Sequence, residues 1–467
     1  MKNLILIVLF SIIGQNISLG QSFETANLKN DELLSSFVEA SNIPGLAVAI
    51  YHGDNLIWNM EYGFSNLEYN APVTDSSKFR IASVSKLFTG TAILKLNNSD
   101  KLHLDDKVSV YLDSIPPSWQ NITIRQIAQH TSGIGHYIDE KDALDVQHYN
   151  SALIALEKFK NRPLNHLPDL DVSYSSYSYT VLAAIIEKVT NKKFPDAMEE
   201  IIFNPFEMDF TEVDDQKSII MGRTGFYQYN KNGQPENAPY IDLSGRWAGS
   251  GYLSTAKDLA RFGAAHTWTS TFFTKEDLTT LTSPRVLNDS LKTKEGLGWG
   301  QRTDYNGNMM YWGDGSTPGS KCGLLVYPEH KLSIAIVSNI RGAPLERGEF
   351  QILATRLIAN ISGNKIVEIG EEDLGKYSLE IDIGGNLYNG ELMLSKNEQD
   401  SYFNFHGLQT FVIKDVFWSN ESLWVFGIGG GKGAIPIGIL PLKIEVSEGV
   451  ITGQIFRINA KIKGKKT

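Results

Sequence analysis

Phe79-Arg80-Ile81-Ala82-Ser83-Val84-Ser85-Lys86 sets a hydroxyl and an amine three residues apart at the start of an apolar helical run, Ser83–Leu96. Positions i and i+3 share a helix face, so Lys86 can reach back to Ser83. A serine hydroxyl is a weak nucleophile until a base takes its proton, and a desolvated lysine is one of the few side chains able to do so. The apolar flanks bury the turn: Phe79 to Ala82 on one side, Leu87, Phe88, Ile93 and Leu94 on the other. Burial and the positive end of the helix dipole both disfavour the ammonium form of Lys86. The segment predicts acyl transfer with Ser83 as nucleophile and Lys86 as base. The spacing alone is common. Ser254-Thr255-Ala256-Lys257 repeats it, and there Ser254 is expected as the N-cap of a helix containing Asp258–Phe262, with Lys257 in solvent.

At 467 residues, 42% hydrophobic and 21% charged, the chain has room for two domains or one large domain with an appendage. A net charge of -10, with no basic stripe, gives no reason to expect a nucleic-acid partner. The one basic cluster, Lys461-Ile462-Lys463-Gly464-Lys465-Lys466-Thr467, reads as a solvated tail. Residues 1–20 read as a secretory signal: Lys2, an apolar core from Leu4 to Ile13, and the small-residue end Ser18-Leu19-Gly20 before Gln21. That apolar run is short for a membrane span, so the expectation is a periplasmic or secreted protein with no stable membrane insertion after signal removal. A single cysteine, Cys322, excludes an intramolecular disulfide and reads as a small buried apolar residue. No His-Glu-x-x-His or paired-cysteine pattern occurs, so neither a metal nor another cofactor is predicted.

Two hairpins lie far apart in the chain. Gly45–Tyr51 and Leu56–Met60 flank His52-Gly53-Asp54-Asn55, and Gly323–Tyr327 and Leu332–Val337 flank Pro328-Glu329-His330-Lys331. Helical patterns at Ser83–Leu96, Ile122–Gln129 and Thr180–Val189 fall between them. Distant strands enclosing a helix-rich middle predict one α/β unit, a sheet built from both ends with helices packed against it. After a linker near Ile361-Ser362-Gly363-Asn364 the texture turns to short alternating strands at Tyr377–Ile383, Glu391–Leu394, Phe403–Phe405, Leu423–Phe426 and Val450–Ile455. The domains expected are 1–20 signal, 21–365 α/β and 366–467 all-β. The Gly427–Gly433 run fails as a phosphate loop, because Gly433 follows Lys432 and Phe426 stands where a glycine is needed; it reads as a flexible turn.

Several segments, in order, resemble the serine β-lactamase-like family, which includes class C β-lactamases, penicillin-binding DD-peptidases and related esterases. Phe79 to Lys86 is similar to its nucleophile segment. Leu104-Asp105-Asp106-Lys107-Val108 and Ile122 to Ile134, which contains His130-Thr131-Ser132-Gly133, are similar to its structural signature. Tyr174-Ser175-Ser176 falls at its Tyr-x-Asn motif, and Gly251–Leu259, Gly296-Leu297-Gly298-Trp299 and Thr317-Pro318-Gly319 complete a series covering about residues 30–345. The resemblance implies an antiparallel sheet flanked by helices, with a Ser83 acyl-enzyme, Lys86 as base and Tyr174 as proton shuttle. A phenol beside a lysine ammonium has its anion stabilised. It further implies that Ser176, Gly315 and Ser316 line the substrate site, with the N–H groups of Ser83 and Ser316 forming the oxyanion hole.

Two departures stand out. Ser176 replaces an Asn that contacts the lysine and the substrate. The third motif lacks its Lys or His, since the position holds Gly313, or Asp314 after a one-residue deletion; Lys321 is expected to be an ordinary solvated lysine. Without that cation, which helps to hold a substrate carboxylate, efficient β-lactam hydrolysis is not expected. A Ser–His–Asp mechanism through His130 or His136 lacks the Gly-x-Ser-x-Gly elbow, so His130 reads as scaffold. The expected protein is thus an exported serine hydrolase cleaving an ester or peptide (amide) bond in a small-molecule or peptide substrate. The alternative is a non-catalytic envelope protein that binds peptidoglycan or a protein partner through the same cleft.

Overall fold

The computed structural model describes residues 28–467 except 29, 40, 288–292, 294, 305–306, 343–348, 362–373, 384, 396–401, 406–408, 420–421, 430–438, 448–449 and 456–459. The signal segment and the linker near Ser362 lie outside the described residues. The chain divides into two compact units, one formed by Ile43–Gly342 and the other by the chain before and after it.

In the first unit, β1 (Gly45–His52) and β2 (Asn55–Asn66) form the expected hairpin, extended by the short β3 (Ala71–Pro72). Four more strands come from the far end: β4 (Gly300–Thr303), β5 (Met309–Thr317), β6 (Ser320–Tyr327) and β7 (Leu332–Ser338). The seven-stranded sheet runs β3-β2-β1-β7-β6-β5-β4, antiparallel throughout. The two distant hairpins meet where β1 pairs with β7, from Leu46 opposite Ser338 to His52 opposite Leu332. Every residue of β6 and β7 is buried, which is why these stretches read as continuous apolar runs rather than alternating ones.

Helix α1 (Ser85–Asn98) starts two residues after Ser83, carries Lys86 and is buried on nearly every side from Ser85 to Leu94. Helix α2 (Ser176–Thr190) packs on it, and helix α3 (Ala256–Ala264) lies across β1, β6 and β7. Gly90 is where α1 comes closest to the Gly296–Trp299 motif, since a Cβ there would stand 1.8 Å from the Leu297 carbonyl oxygen. One expectation needs correction. Thr255, not Ser254, caps α3, its hydroxyl accepting from the Asp258 N–H. Ser254 ends a buried strand (Tyr252–Ser254) and shares a hydrogen bond with Thr211, while Lys257 is half-buried.

The second unit contains an all-β region. Eight strands, from Gly375–Ile383 to Ala460–Lys466, close into an antiparallel barrel, the last strand pairing with the first from Tyr377 opposite Lys466 to Asp382 opposite Lys461. Tyr377, Leu379, Ile381, Leu392, Leu394, Phe403 and Ile462 are buried in it. The basic cluster is therefore not a loose tail: Lys461, Lys463 and Lys465 point outward from the closing strand while Ile462 points in. Gly427–Gly429 belong to a strand rather than a turn, and the rest of that glycine run lies outside the described residues.

Candidate active site

Phe79 and Arg80 pair with Leu253 and Ser254, and the Ile81 N–H donates to the Tyr252 carbonyl at 3.0 Å, so the chain approaches the site as an extended strand. It then turns sharply at Ala82, whose φ of +49° is left-handed and costs a residue with a Cβ about 1 kcal/mol. Ser83 follows in the single 3-10 turn Ala82–Val84 that feeds α1. Arg80 braces this entry. Its guanidinium pairs with the buried Asp214 carboxylate at 2.7 Å and donates to the Pro318 carbonyl at 2.9 Å, and its own carbonyl accepts from the Ser320 hydroxyl.

Lys86 is only 2% exposed. Its Nζ lies 3.3 Å from Ser83 Oγ, 3.1 Å from Ser176 Oγ and 2.7 Å from the Gly249 carbonyl oxygen. Burial, partly opposed by the Glu295 carboxylate and assisted by the Arg246 guanidinium, brings its pKa down to about 7. A neutral amine has two N–H bonds, which the Gly249 carbonyl and Ser176 hydroxyl can take, leaving the lone pair for the Ser83 proton. The Tyr174 hydroxyl donates to Ser83 Oγ at 2.8 Å, and the Tyr174 ring lies 4.7 Å from Lys86 Nζ. Packing around the hydroxyl and the Glu295 charge raise the Tyr174 pKa, although the residue as a whole is 41% exposed. That direction runs against the expected stabilised phenolate, and the Tyr174 hydroxyl stands as the donor to Ser83 Oγ.

The direction of the Ser316 N–H follows from strand register. β4 pairs with β5 only as far as Gly300 opposite Trp312, so the edge of Gly313–Thr317 carries no strand partner on that side. A two-residue turn, Pro318-Gly319, makes Thr317 and Ser320 the hydrogen-bonded pair of the β5–β6 hairpin. Alternation along an antiparallel ladder then directs the Ser316 N–H to the open edge. Gly315 brings that edge against the nucleophile: a Cβ there would stand 2.3 Å from the Ile81 carbonyl oxygen and 3.0 Å from the Ser83 nitrogen.

The predicted residues Ser83, Lys86, Tyr174, Ser176, Gly315 and Ser316 thus belong to one locus. Gly313 is closed off by Leu87, whose Cδ1 would lie 2.5 Å from a Cβ. Lys321 is not a solvated lysine. It is buried and its Nζ pairs with Asp314 at 2.7 Å, so its charge is already engaged. Cys322 is buried. Sequence reasoning missed the Gly249 carbonyl and Glu295, which no motif marks. It also left His136 without a role. No group of three or more His, Cys, Asp or Glu is placed to hold a metal among the described residues.

Residues 30–356 match the Beta-lactamase family. The human protein "Serine beta-lactamase-like protein LACTB, mitochondrial" is 28% identical over 313 residues, 52% of this chain and 57% of its own length, so the chain spans little more than half of that relative. A Bacillus subtilis penicillin-binding protein is 26% identical over 326 residues, covering 66% of this chain and 70% of its own. The solved D-amino acid amidase from Ochrobactrum anthropi SV3, in complex with L-phenylalanine amide, superposes with a TM-score of 0.62 at 18% identity. That match covers 74% of this chain and 99% of the amidase, and it speaks for the fold alone. The family match supports serine hydrolase chemistry in general.

Proposed function

The chain belongs to the β-lactamase family, and on that premise we propose that it is an exported serine hydrolase cleaving an ester or peptide (amide) bond through a Ser83 acyl-enzyme. One observation carries this reading: Ser83 Oγ stands between a buried lysine amine at 3.3 Å and a phenol at 2.8 Å. Lys86 takes the Ser83 proton as Oγ bonds to the substrate carbonyl carbon. The oxygen of the tetrahedral adduct gathers negative charge at the N–H groups of Ser83 and Ser316. Tyr174 gives its proton to the leaving oxygen or nitrogen and is reprotonated from the Lys86 ammonium, and the bond to the leaving group breaks. Water then gives a proton to Lys86 as its oxygen attacks the acyl carbon, and the bond from that carbon to Ser83 Oγ breaks as the Lys86 ammonium returns the proton to Oγ.

With Gly313 in place of the cation and Lys321 tied to Asp314, no free ammonium on this strand is offered to a substrate carboxylate. That supports uncharged esters or amides over β-lactams as substrates. The N-terminal apolar segment is the ground for export to the periplasm or medium, and cell fractionation tests it. Incubating the purified full chain with a fluorophosphonate probe and a chromogenic ester should label and turn over the wild type, with both lost in Ser83→Ala and turnover lost in Lys86→Ala. Equal labelling of Ser83→Ala would reject the assignment. An unlabelled, inactive wild type would leave the non-catalytic binding protein as the better account.

A further inference from the structure

Tyr174 immediately precedes helix α2, and the first N–H groups of a helix have no partner within it. In α2 the side chain of the N-cap, Ser175, takes the Ser178 N–H. Of the other N–H groups at this end, those of Ser175 and Ser176 each meet a histidine. Ser175 N–H donates to His130 Nδ1 at 3.2 Å, and Ser176 N–H donates to His136 Nδ1 at 3.2 Å. The same two rings flank the phenol on two sides. His130 lies beside Tyr174 at 4.6 Å between centroids, tilted by 44°, and His136 meets it edge-on at 5.5 Å and 87°.

We propose that His130 and His136 are paired positioning residues that hold the Tyr174 hydroxyl on Ser83, each accepting one backbone N–H of the turn after Tyr174 and each packing its ring against the phenol. The proposal rests on the serine-hydrolase reading above and gives both histidines a role in it without proton transfer.

Three features fit this role. An Nδ1 that accepts an N–H must carry no proton, so each ring is the neutral tautomer protonated at Nε2. Burial, with the nearby Lys86 charge, lowers both pKa values, that of His136 to about 4. The rings are also held in place from behind. His130 has a left-handed φ of +61°, and its carbonyl accepts from the Ser173 N–H at 2.9 Å. The Gly135 carbonyl, next to His136, accepts from the Ser175 hydroxyl at 2.8 Å. Gly133, with a φ of +78°, lets this segment lie against His166, where a Cβ would strike the His166 carbonyl.

The test is a set of full-length variants assayed with p-nitrophenyl acetate and checked for folding by circular dichroism. An asparagine Oδ1 can take the place of an imidazole Nδ1 as acceptor, and asparagine tolerates the left-handed backbone of residue 130. His136→Leu is expected to lower kcat by ~10-fold or more with KM little changed, because misplacing a reacting group by a fraction of an ångström has that scale of cost. His136→Asn should recover most of that loss, and His130→Asn should keep most of the wild-type kcat. In a Tyr174→Phe background, His136→Leu should cost less than about threefold, since the hydroxyl it positions is gone. The proposal is overturned if Asn is as impaired as Leu, if the loss appears in KM, or if the Tyr174→Phe and His136→Leu effects simply multiply. A wild type that neither labels nor turns over would instead sink the hydrolase reading itself.

Discussion

At the scale of single residues, the chemistry depends on charge states that burial sets. Lys86 must be neutral to accept the Ser83 proton, and with its pKa near 7 it becomes so only as pH rises through that value. The kcat/KM profile should therefore climb between about pH 6 and 8 and flatten above. Glu295 favours the ammonium form of Lys86, so Glu295→Gln should move the acid limb to lower pH; a limb that stays put or moves up would contradict this electrostatic assignment. The pairing of Ser83 and Lys86 is legible in the sequence because an i, i+3 spacing fixes proximity within one turn. The Gly249 carbonyl is not. Lys86 meets it across 163 residues, a range at which no local pattern encodes a contact, whereas Ser176, 90 residues away, is reached through motif order.

At the scale of elements, the site is a matter of how closely a strand edge can approach a turn. Gly315→Ala would force a Cβ against the Ile81 carbonyl and the Ser83 nitrogen, prising β5 from the nucleophile. Turnover should fall by about 100-fold or more while the far-UV spectrum is kept, as expected for lost oxyanion donors. Ala82 stores strain at the other side of the same contact. Ala82→Gly relieves a left-handed φ, and denaturant unfolding should report the fold as more stable by up to about 1 kcal/mol. Tyr174 and Ser176 were found through motif order, but why they sit still is visible only in the contacts of the 130–136 segment. The misassigned cap at Ser254 has a similar cause. Ser and Thr cap equally well by composition, and strand pairing with Phe79 took Ser254 for the sheet.

For the whole molecule, every residue of the candidate site lies within Ile43–Gly342, a unit distinct from the barrel. The barrel is closed by the Ala460–Lys466 strand, which pairs on both edges. Deleting residues 460–467 would leave two unpaired strand edges and should produce aggregation on mild heating. Fluorophosphonate labelling of Ser83 in the soluble fraction should persist; its complete loss would tie the chemistry to the barrel. Five barrel strands were readable from alternation and turn residues, whereas Gln409–Ser419, Ile439–Ser447 and the closing Ala460–Lys466 were not, nor was closure, because the first and last strands pair through a register that neither specifies alone.

The sequence by itself determined the i, i+3 pairing of Ser83 with Lys86, the order of the motifs, the α/β character with an all-β end, and the missing cation of the third motif. These are local: spacing, periodicity and residue type are enough to state them. Only the tertiary structure decided which form of Tyr174 faces Ser83, that Lys321 is spent on Asp314, and that two histidines grip the start of α2. Desolvation and long-range hydrogen bonding arise from segments brought together by folding, so the charge and orientation of a group are properties of its packed surroundings rather than of its place in the chain.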